Sequence, residues 1–266
     1  MSTAKETNFK ARRVAIMGDV HLGRGDARTG YGGSEEELVG FLRWLRGRAD
    51  RVVVNGDLFD LDRGTLPLRF EAEYARARSR WPLVVSTLDD IGAVWLVGNH
   101  DAALTAHDGL WTAASVELGP WRVRIEHGDR FDGWLKRQRT VTRLVTWASG
   151  RASRLGAGHL YDALRAGERL AAGEGGSAVH RRALRWLDAQ ERHDVLVVGH
   201  THEQAALEVA GRWLFNAGDG TRLPFGFVVL DGDDDSWQLG QWYPDRVTTV
   251  AAGRLATGVD KLSGLP

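Results

Sequence analysis

Apolar residues recur in this chain as short, nearly unbroken runs: Val14–Met17, Val52–Val54, Ala93–Val97, Val123–Ile125 and Val195–Val198. Runs of this length without polar alternation predict strands buried on both faces. The intervening segments change period. Ser34 and Glu37 form a capping box, and Leu38, Phe41, Leu42 and Leu45 follow at helical spacing, so a helix is expected before the strand Arg51–Asn55. Leu68 to Leu88 reads as helix, interrupted or restarted at Pro82. Beyond position 200 the pattern becomes strand and turn: Gln204–Val209, Arg212–Phe215, Phe225–Leu230 and Trp237–Trp242, separated by Gly or by the acidic turn Asp231–Asp235. Two regions lack such a signal. Met1 to Arg13 is polar, and from Ala251 onward there is little periodicity, so that tail is expected to be loosely packed.

Composition narrows the picture. At 266 residues the chain fits one α/β domain, and the expectation is a single domain over 1–266. Zero formal net charge disfavours nucleic acid as a partner, which usually meets a basic protein. No cysteine means no disulfide and no thiolate metal site. No signal-peptide core and no membrane-length apolar run are seen, which points to the cytoplasm.

The candidate chemistry sits just after the five buried runs. Each is followed by a polar motif: Gly18-Asp19-Val20-His21, Gly56-Asp57, Gly98-Asn99-His100-Asp101, His127-Gly128-Asp129 and Gly199-His200-Thr201-His202. A lone Gly-Asp is often only a turn, and Asn-His-Asp can be a self-capped loop. Five such motifs at five strand ends point instead to side chains converging on one site. Asp, His and Asn without Cys make a hard-to-borderline donor set suited to Mn²⁺, with Fe, Zn²⁺, Co²⁺ and Mg²⁺ as alternatives. His107, His159, His180 and His193 lie in polar surroundings and read as surface residues, although His107 and His159 could reach the site from loops.

In order and identity these motifs resemble the calcineurin-like metallophosphoesterase superfamily, from about Val14 to Trp242. The resemblance implies a two-sheet β-sandwich flanked by helices and a pair of divalent metal ions that hydrolyse a phosphoester or phosphoanhydride. It also implies the ligands: Asp19, His21, Asp57 and His202 for one ion, and Asn99, His127, His200 and a bridging Asp57 for the other. His100 is implied as the acid serving the leaving group, with Asp101 orienting its ring and Asp129 outside the ligand set.

The stretch from Arg130 to Gln190 carries no metal motif but holds 12 Lys and Arg against 5 Asp and Glu, interleaved with Phe131, Trp134, Leu135, Leu144 and Trp147. One reading is a solvated helical insertion. The other is a helical cap over the metals, at about 131–190, for an anionic substrate with an apolar part. Arg137, Arg139 and Arg143 are then candidate substrate contacts, and the same composition suits peripheral contact with the inner membrane surface. With Gly56–Asp60 and His-Gly-Asp, this insertion is similar to the UDP-2,3-diacylglucosamine hydrolases, which cleave a pyrophosphate in a nucleotide-linked, doubly acylated sugar. The better-known members of that branch have Arg where this chain has His100. Phosphorylated small-molecule or lipid-linked substrates are therefore expected. A nuclease or protein phosphatase of the same superfamily is the second reading, and a non-catalytic interaction scaffold the third.

Overall fold

The computed structural model describes residues 5–26, 30–64, 70–107, 109–133, 147 and 177–255. Strands β1 (Glu6–Ala11), β2 (Arg13–Met17), β3 (Arg51–Asn55), β4 (Val94–Leu96), β5 (Leu110–Trp111), β6 (Ala113–Leu118), β7 (Trp121–Glu126), β8 (Val195–Val198), β9 (Ala205–Val209), β10 (Arg212–Asn216), β11 (Phe225–Asp231), β12 (Ser236–Trp242) and β13 (Val247–Arg254) form two sheets. One sheet runs β1-β6-β7-β8-β10-β9, the other β13-β12-β11-β2-β3-β4-β5. The helices are α1 (Glu35–Arg48), α2 (Leu61–Gly64), α3 (Phe70–Arg80), α4 (Pro82–Asp90) and α5 (Ser177–Asp188).

Alternation along each buried strand builds the layers. Val14 and Ile16 of β2 face Val123, Ile125, Val195 and Val197 of the other sheet, forming the core between the sheets. Ala15 and Met17 point the opposite way, with Val52 and Val54, against Leu38, Phe41, Leu42 and Leu45 of α1. In β8, Leu196 and Val198 face outward onto Val179, Ala183 and Leu187, one stripe of α5. Because every central strand is covered on both sides, its sequence is apolar throughout. The fold is therefore α/β: a two-sheet β-sandwich flanked by helices.

The local signals have visible causes. Ser34 Oγ accepts from Glu37 N at 3.1 Å, and Glu37 Oε2 accepts from Ser34 N at 2.7 Å, closing both halves of the capping box. Pro82 is the first residue of α4, where its missing N–H costs nothing, so the expected helix divides there. The neighbouring Glu35 Oε1 accepts from Leu83 N and Val84 N, tying α1 to the start of α4.

Both ends of the described chain form strands, and one expectation needs correction. The polar N-terminus contains β1, an edge strand whose alternate residues Thr7 and Phe9 are half-buried while Glu6, Asn8 and Lys10 face out, parallel to β6. The tail is not loose where described: residues up to Arg254 pair with β12, and Leu255 is buried. Backbone pairing orders both edges, and it leaves almost no trace in apolar periodicity. Of the stretch expected to form a cap, the described final helix α5 packs on the outer face of β8 and β10, and its His180 reaches Thr201 of the last motif. Phe131 belongs to that same cluster. Arg137, Arg139, Arg143 and His159 lie outside the described residues.

Removing the cap at Ser34 tests how far local signals support the fold. Ser34→Ala is expected to lower unfolding free energy by about 1 kcal/mol, read as a shift in urea midpoint with an unchanged slope.

Candidate metal centre

Parallel pairing within each sheet aligns the strand ends that carry the motifs. The β2, β3 and β4 ladder is parallel, as is β7 with β8, so Asp19, His21, Asp57, Asn99 and His100 emerge from one sheet and His127, His200 and His202 from the other. They meet at one rim of the sandwich. Asp57 Oδ2 lies 3.2 Å from His127 Nε2 and 3.8 Å from His21 Nε2. Asp19 Oδ1 is 3.2 Å from His127 Nδ1, Asn99 Oδ1 is 3.0 Å from His127 Nε2, and His21 Nε2 is 3.3 Å from His202 Nε2. The rings of His127 and His200 are 5.3 Å apart. All seven side chains expected to ligate metal are thus gathered.

The loops adopt costly shapes to do this. His21, Asp57, His200 and His202 have φ of 59°, 47°, 67° and 58°, the left-handed region that non-glycine residues avoid, at roughly 1–3 kcal/mol each. Two glycines permit the close approach. A Cβ on Gly56 would meet His127 Nδ1 at 2.5 Å, and one on Gly98 would meet the Asp57 backbone nitrogen at 2.7 Å. Backbone bonds lock the loops together: the Asp57 carbonyl accepts from Val20 N and His21 N, and Gly199 N donates to the His127 carbonyl.

The electrostatics call for cations. Two carboxylates, Asp19 and Asp57, are buried side by side with several imidazoles. Neither oxygen of Asp19 accepts a hydrogen bond. A buried carboxylate without donors is strongly unfavourable unless a positive charge compensates it. Asp19–Asp57–His127 and His21–Asp57–His100 each bring three donor atoms within 4.8 Å of one another, with Asp57 common to both. These nitrogen and oxygen donors fit divalent metal ions.

Protonation follows the same charges. Burial raises the Asp57 pKa, but His127, His100 and His21 hold its carboxyl well below the usual range. Burial lowers His127, yet Asp57 and Asp19 keep it well above the ordinary imidazole value. His100 is likewise depressed by burial but raised overall to about 9 by Asp57 and Asp60. Asp101, buried beside Asp57, is pushed up to about 7 despite accepting from Gly98 N and Phe59 N.

A sequence profile described as "Calcineurin-like phosphoesterase" matches residues 12–204, which spans every motif. The chain belongs to the calcineurin-like phosphoesterase family. It is therefore a hydrolase acting on phosphoester bonds, in a family that uses divalent metal ions. A dimetal phosphatase from Danio rerio shares the fold at 13% identity and a TM-score of 0.51, covering 90% of this chain and 98% of the other. Vacuolar protein sorting 29 from Cryptosporidium parvum aligns at 17% identity and TM-score 0.49, covering 92% and 98%. The same protein from Entamoeba histolytica, complexed with zinc, gives 18%, 0.47, 92% and 99%. No curated protein sequence matches the chain.

Within this phosphoesterase site the structure reassigns one role. Asp101 was expected to orient His100, but its oxygens accept from Gly98 N at 2.6 Å and Phe59 N at 3.3 Å. Asp60 Oδ1 instead faces His100 Nδ1 at 3.0 Å. Asp60 stands in the same Gly56–Asp60 motif and carried no assigned role, because sequence spacing alone does not show which carboxylate reaches the ring. Other supports are also silent in sequence: the Asn55 carbonyl 3.1 Å from His127 Nδ1, Asp132 3.1 Å from His200 Nε2, and Asp219 3.2 Å from His202 Nδ1. Of the histidines read as surface residues, His107 pairs with Glu71, His193 is half-buried beside Ser115, and His180 is buried.

Metal binding should expel protons. Only a deprotonated imidazole ligates, and His127 holds its proton above the ordinary value, so affinity should rise with pH beyond about 6.5, the free-imidazole value. Calorimetric Mn²⁺ titrations in buffers of different ionisation enthalpy should show proton release that diminishes as pH rises.

Proposed function

We propose that the chain is a dinuclear, metal-dependent phosphohydrolase in which Asp57 serves both ions and His100 serves the leaving group. The observation that carries this reading is the position of Asp57, whose carboxylate is shared by two candidate donor groups. By the family resemblance, Asp19, His21 and His202 would complete one ion's ligand set, and Asn99, His127 and His200 the other's. Two bound ions would supply charge to the phosphoryl oxygens and lower the pKa of a water nucleophile.

The remaining chemistry belongs to side chains. His100 is nine-tenths buried, and its backbone N–H donates to Asp57 Oδ1 at 2.8 Å, which fixes the ring beside the metal donors. With Nδ1 turned to Asp60, Nε2 is the ring atom left to hand a proton to a departing oxygen. Asp60 stabilises the protonated ring, while Asp101 fixes the turn that presents it. Mn²⁺ is the first choice of metal, with Fe, Zn²⁺, Co²⁺ or Mg²⁺ fitting the same donors.

The finer substrate reading, a pyrophosphate or phosphoester in a lipid-linked or nucleotide-linked molecule such as UDP-2,3-diacylglucosamine, is supported by the basic, apolar stretch after His127 and by the Gly56–Asp60 and His-Gly-Asp motifs. In that reading Arg137, Arg139 and Arg143 contact the anionic part of the substrate. A screen of metal-loaded protein across aryl phosphomonoesters, phosphodiesters and nucleotide-sugar pyrophosphates discriminates among these. The described residues contain no helix long and apolar enough to cross a membrane.

Elemental analysis of Mn²⁺-loaded protein should approach two equivalents, and Asp57→Ala should weaken both ions; saturation at one would overturn the dinuclear reading. His100→Ala should keep both ions and lose about 10²–10⁴-fold in turnover, with a smaller loss for leaving groups of low pKa. Asp60→Asn should reproduce that leaving-group dependence in milder form.

A further inference from the structure

His200 and His202 flank Thr201 on the loop between β8 and β9, and both hold left-handed backbone conformations. Such a loop keeps its shape only when its surroundings over-determine it. Part of the restraint comes from β10. Asn216 Nδ2 donates to the Gly199 carbonyl at 2.8 Å and to Thr201 Oγ1 at 2.9 Å, while its Oδ1 accepts from Gly218 N at 2.9 Å. Further restraint comes from two residues at the described edges of the 131–190 stretch.

The first is His180, on α5, 4% exposed, with Nε2 3.2 Å from Thr201 Oγ1 and 3.1 Å from Asn216 Nδ2. With the amide hydrogens of Asn216 committed, the Thr201 hydroxyl donates to His180 Nε2 and accepts from Glu203 N. The second is Asp132, whose Oδ2 is 3.1 Å from His200 Nε2. A carboxylate there accepts the Nε2 hydrogen and leaves the lone pair on Nδ1, so Asp132 selects which nitrogen of His200 can ligate. His202 is held the opposite way, with Nδ1 to Asp219 and Nε2 toward His21. The two edges are joined, because Arg182 of α5 donates to the Phe131 carbonyl and Phe131 packs with α5 on β8.

We propose that Asp132 and His180 are positioning residues that together brace the Gly199–His202 loop, with Asp132 fixing the ligating nitrogen of His200 and His180 fixing the loop through Thr201. The proposal rests on the reading that His200 and His202 hold metal ions. Groups that back a metal-ligating histidine typically contribute about 10–100-fold in metal affinity.

The test titrates metal-free full-length protein with Mn²⁺ alone and records the imidazole ¹⁵N signals of His200 by NMR. Asp132→Asn should weaken one of the two ions about 10–100-fold, leave the other near its original affinity, and change the His200 tautomer signals even before metal is added. His180→Ala should weaken both ions, since both loop histidines shift, and His180→Gln, whose carbonyl can accept from Thr201, should recover most of that loss. Urea midpoints separate this from unfolding. The proposal is overturned if folded Asp132→Asn keeps original affinities and unchanged His200 signals, or if His180→Ala loses stability while its affinities stay unchanged and Gln rescues nothing. Fewer than two ions on the unaltered protein would instead refute the dinuclear reading, and the metal-free NMR comparison would still decide the role of Asp132.

Discussion

One buried carboxylate ties the site together. Asp57 contacts three other chain segments: its carbonyl accepts from Val20 and His21, its Oδ1 from the His100 N–H, and its Oδ2 faces His127 from the opposite sheet. A charge in that position is tolerable only when positive partners surround it, and the histidines gathered there answer that demand. With Asp19 beside it and lacking any hydrogen-bond donor, the negative charge in the rim calls for metal cations. The strained loops, the permissive glycines and the parallel strand ends all follow from bringing donors to that point.

Around this centre the histidines divide by what holds the ring nitrogen that faces away. Asp60 backs His100, Asp132 backs His200, Asp219 backs His202, and the Asn55 carbonyl backs His127. Asp219 is well suited to this: burial would raise its pKa, but the His202 ring and Thr221 hold it at about 2. A fixed tautomer at each ring means that a ligand is aimed before metal arrives, and that the one ring without a ligand role in the proposal, His100, is aimed as well. Asp57 and Asp19 hold the His127 proton above its ordinary value, and Asp57 and Asp60 do the same for His100.

The described ends of the stretch from Arg130 to Gln190 make contacts that composition does not show. A run of Arg with Trp and Leu suggests a surface for anionic ligands, yet its final helix serves the fold, burying Val179, Ala183 and Leu187 on the six-stranded sheet. Part of its basic character is also structural. Arg130 packs over Trp186 and pairs with Glu126, and Arg182 holds the Phe131 carbonyl. Charge counted along a sequence does not separate such internal contacts from a binding face.

The sequence by itself determined the elements whose signal is local. Unbroken apolar runs marked β2, β3, β4, β7 and β8, the Ser34–Glu37 box marked the start of α1, Pro82 marked the division of α3 from α4, and motifs at strand ends marked the donor set. Each depends on neighbours within a few residues. Tertiary structure alone decided the rest. The edge strand β1 is held by a backbone ladder to the distant β6, and β13 by a ladder to its neighbour β12, which polar sequences satisfy as well as apolar ones. The choice of Asp60 over Asp101 at His100, the burial of His180 against Thr201, and the pairing of Asp132 with His200 join residues up to tens of positions apart. Hydrogen bonds of a few ångströms between remote segments depend on how layers pack, and no spacing in the chain encodes that distance.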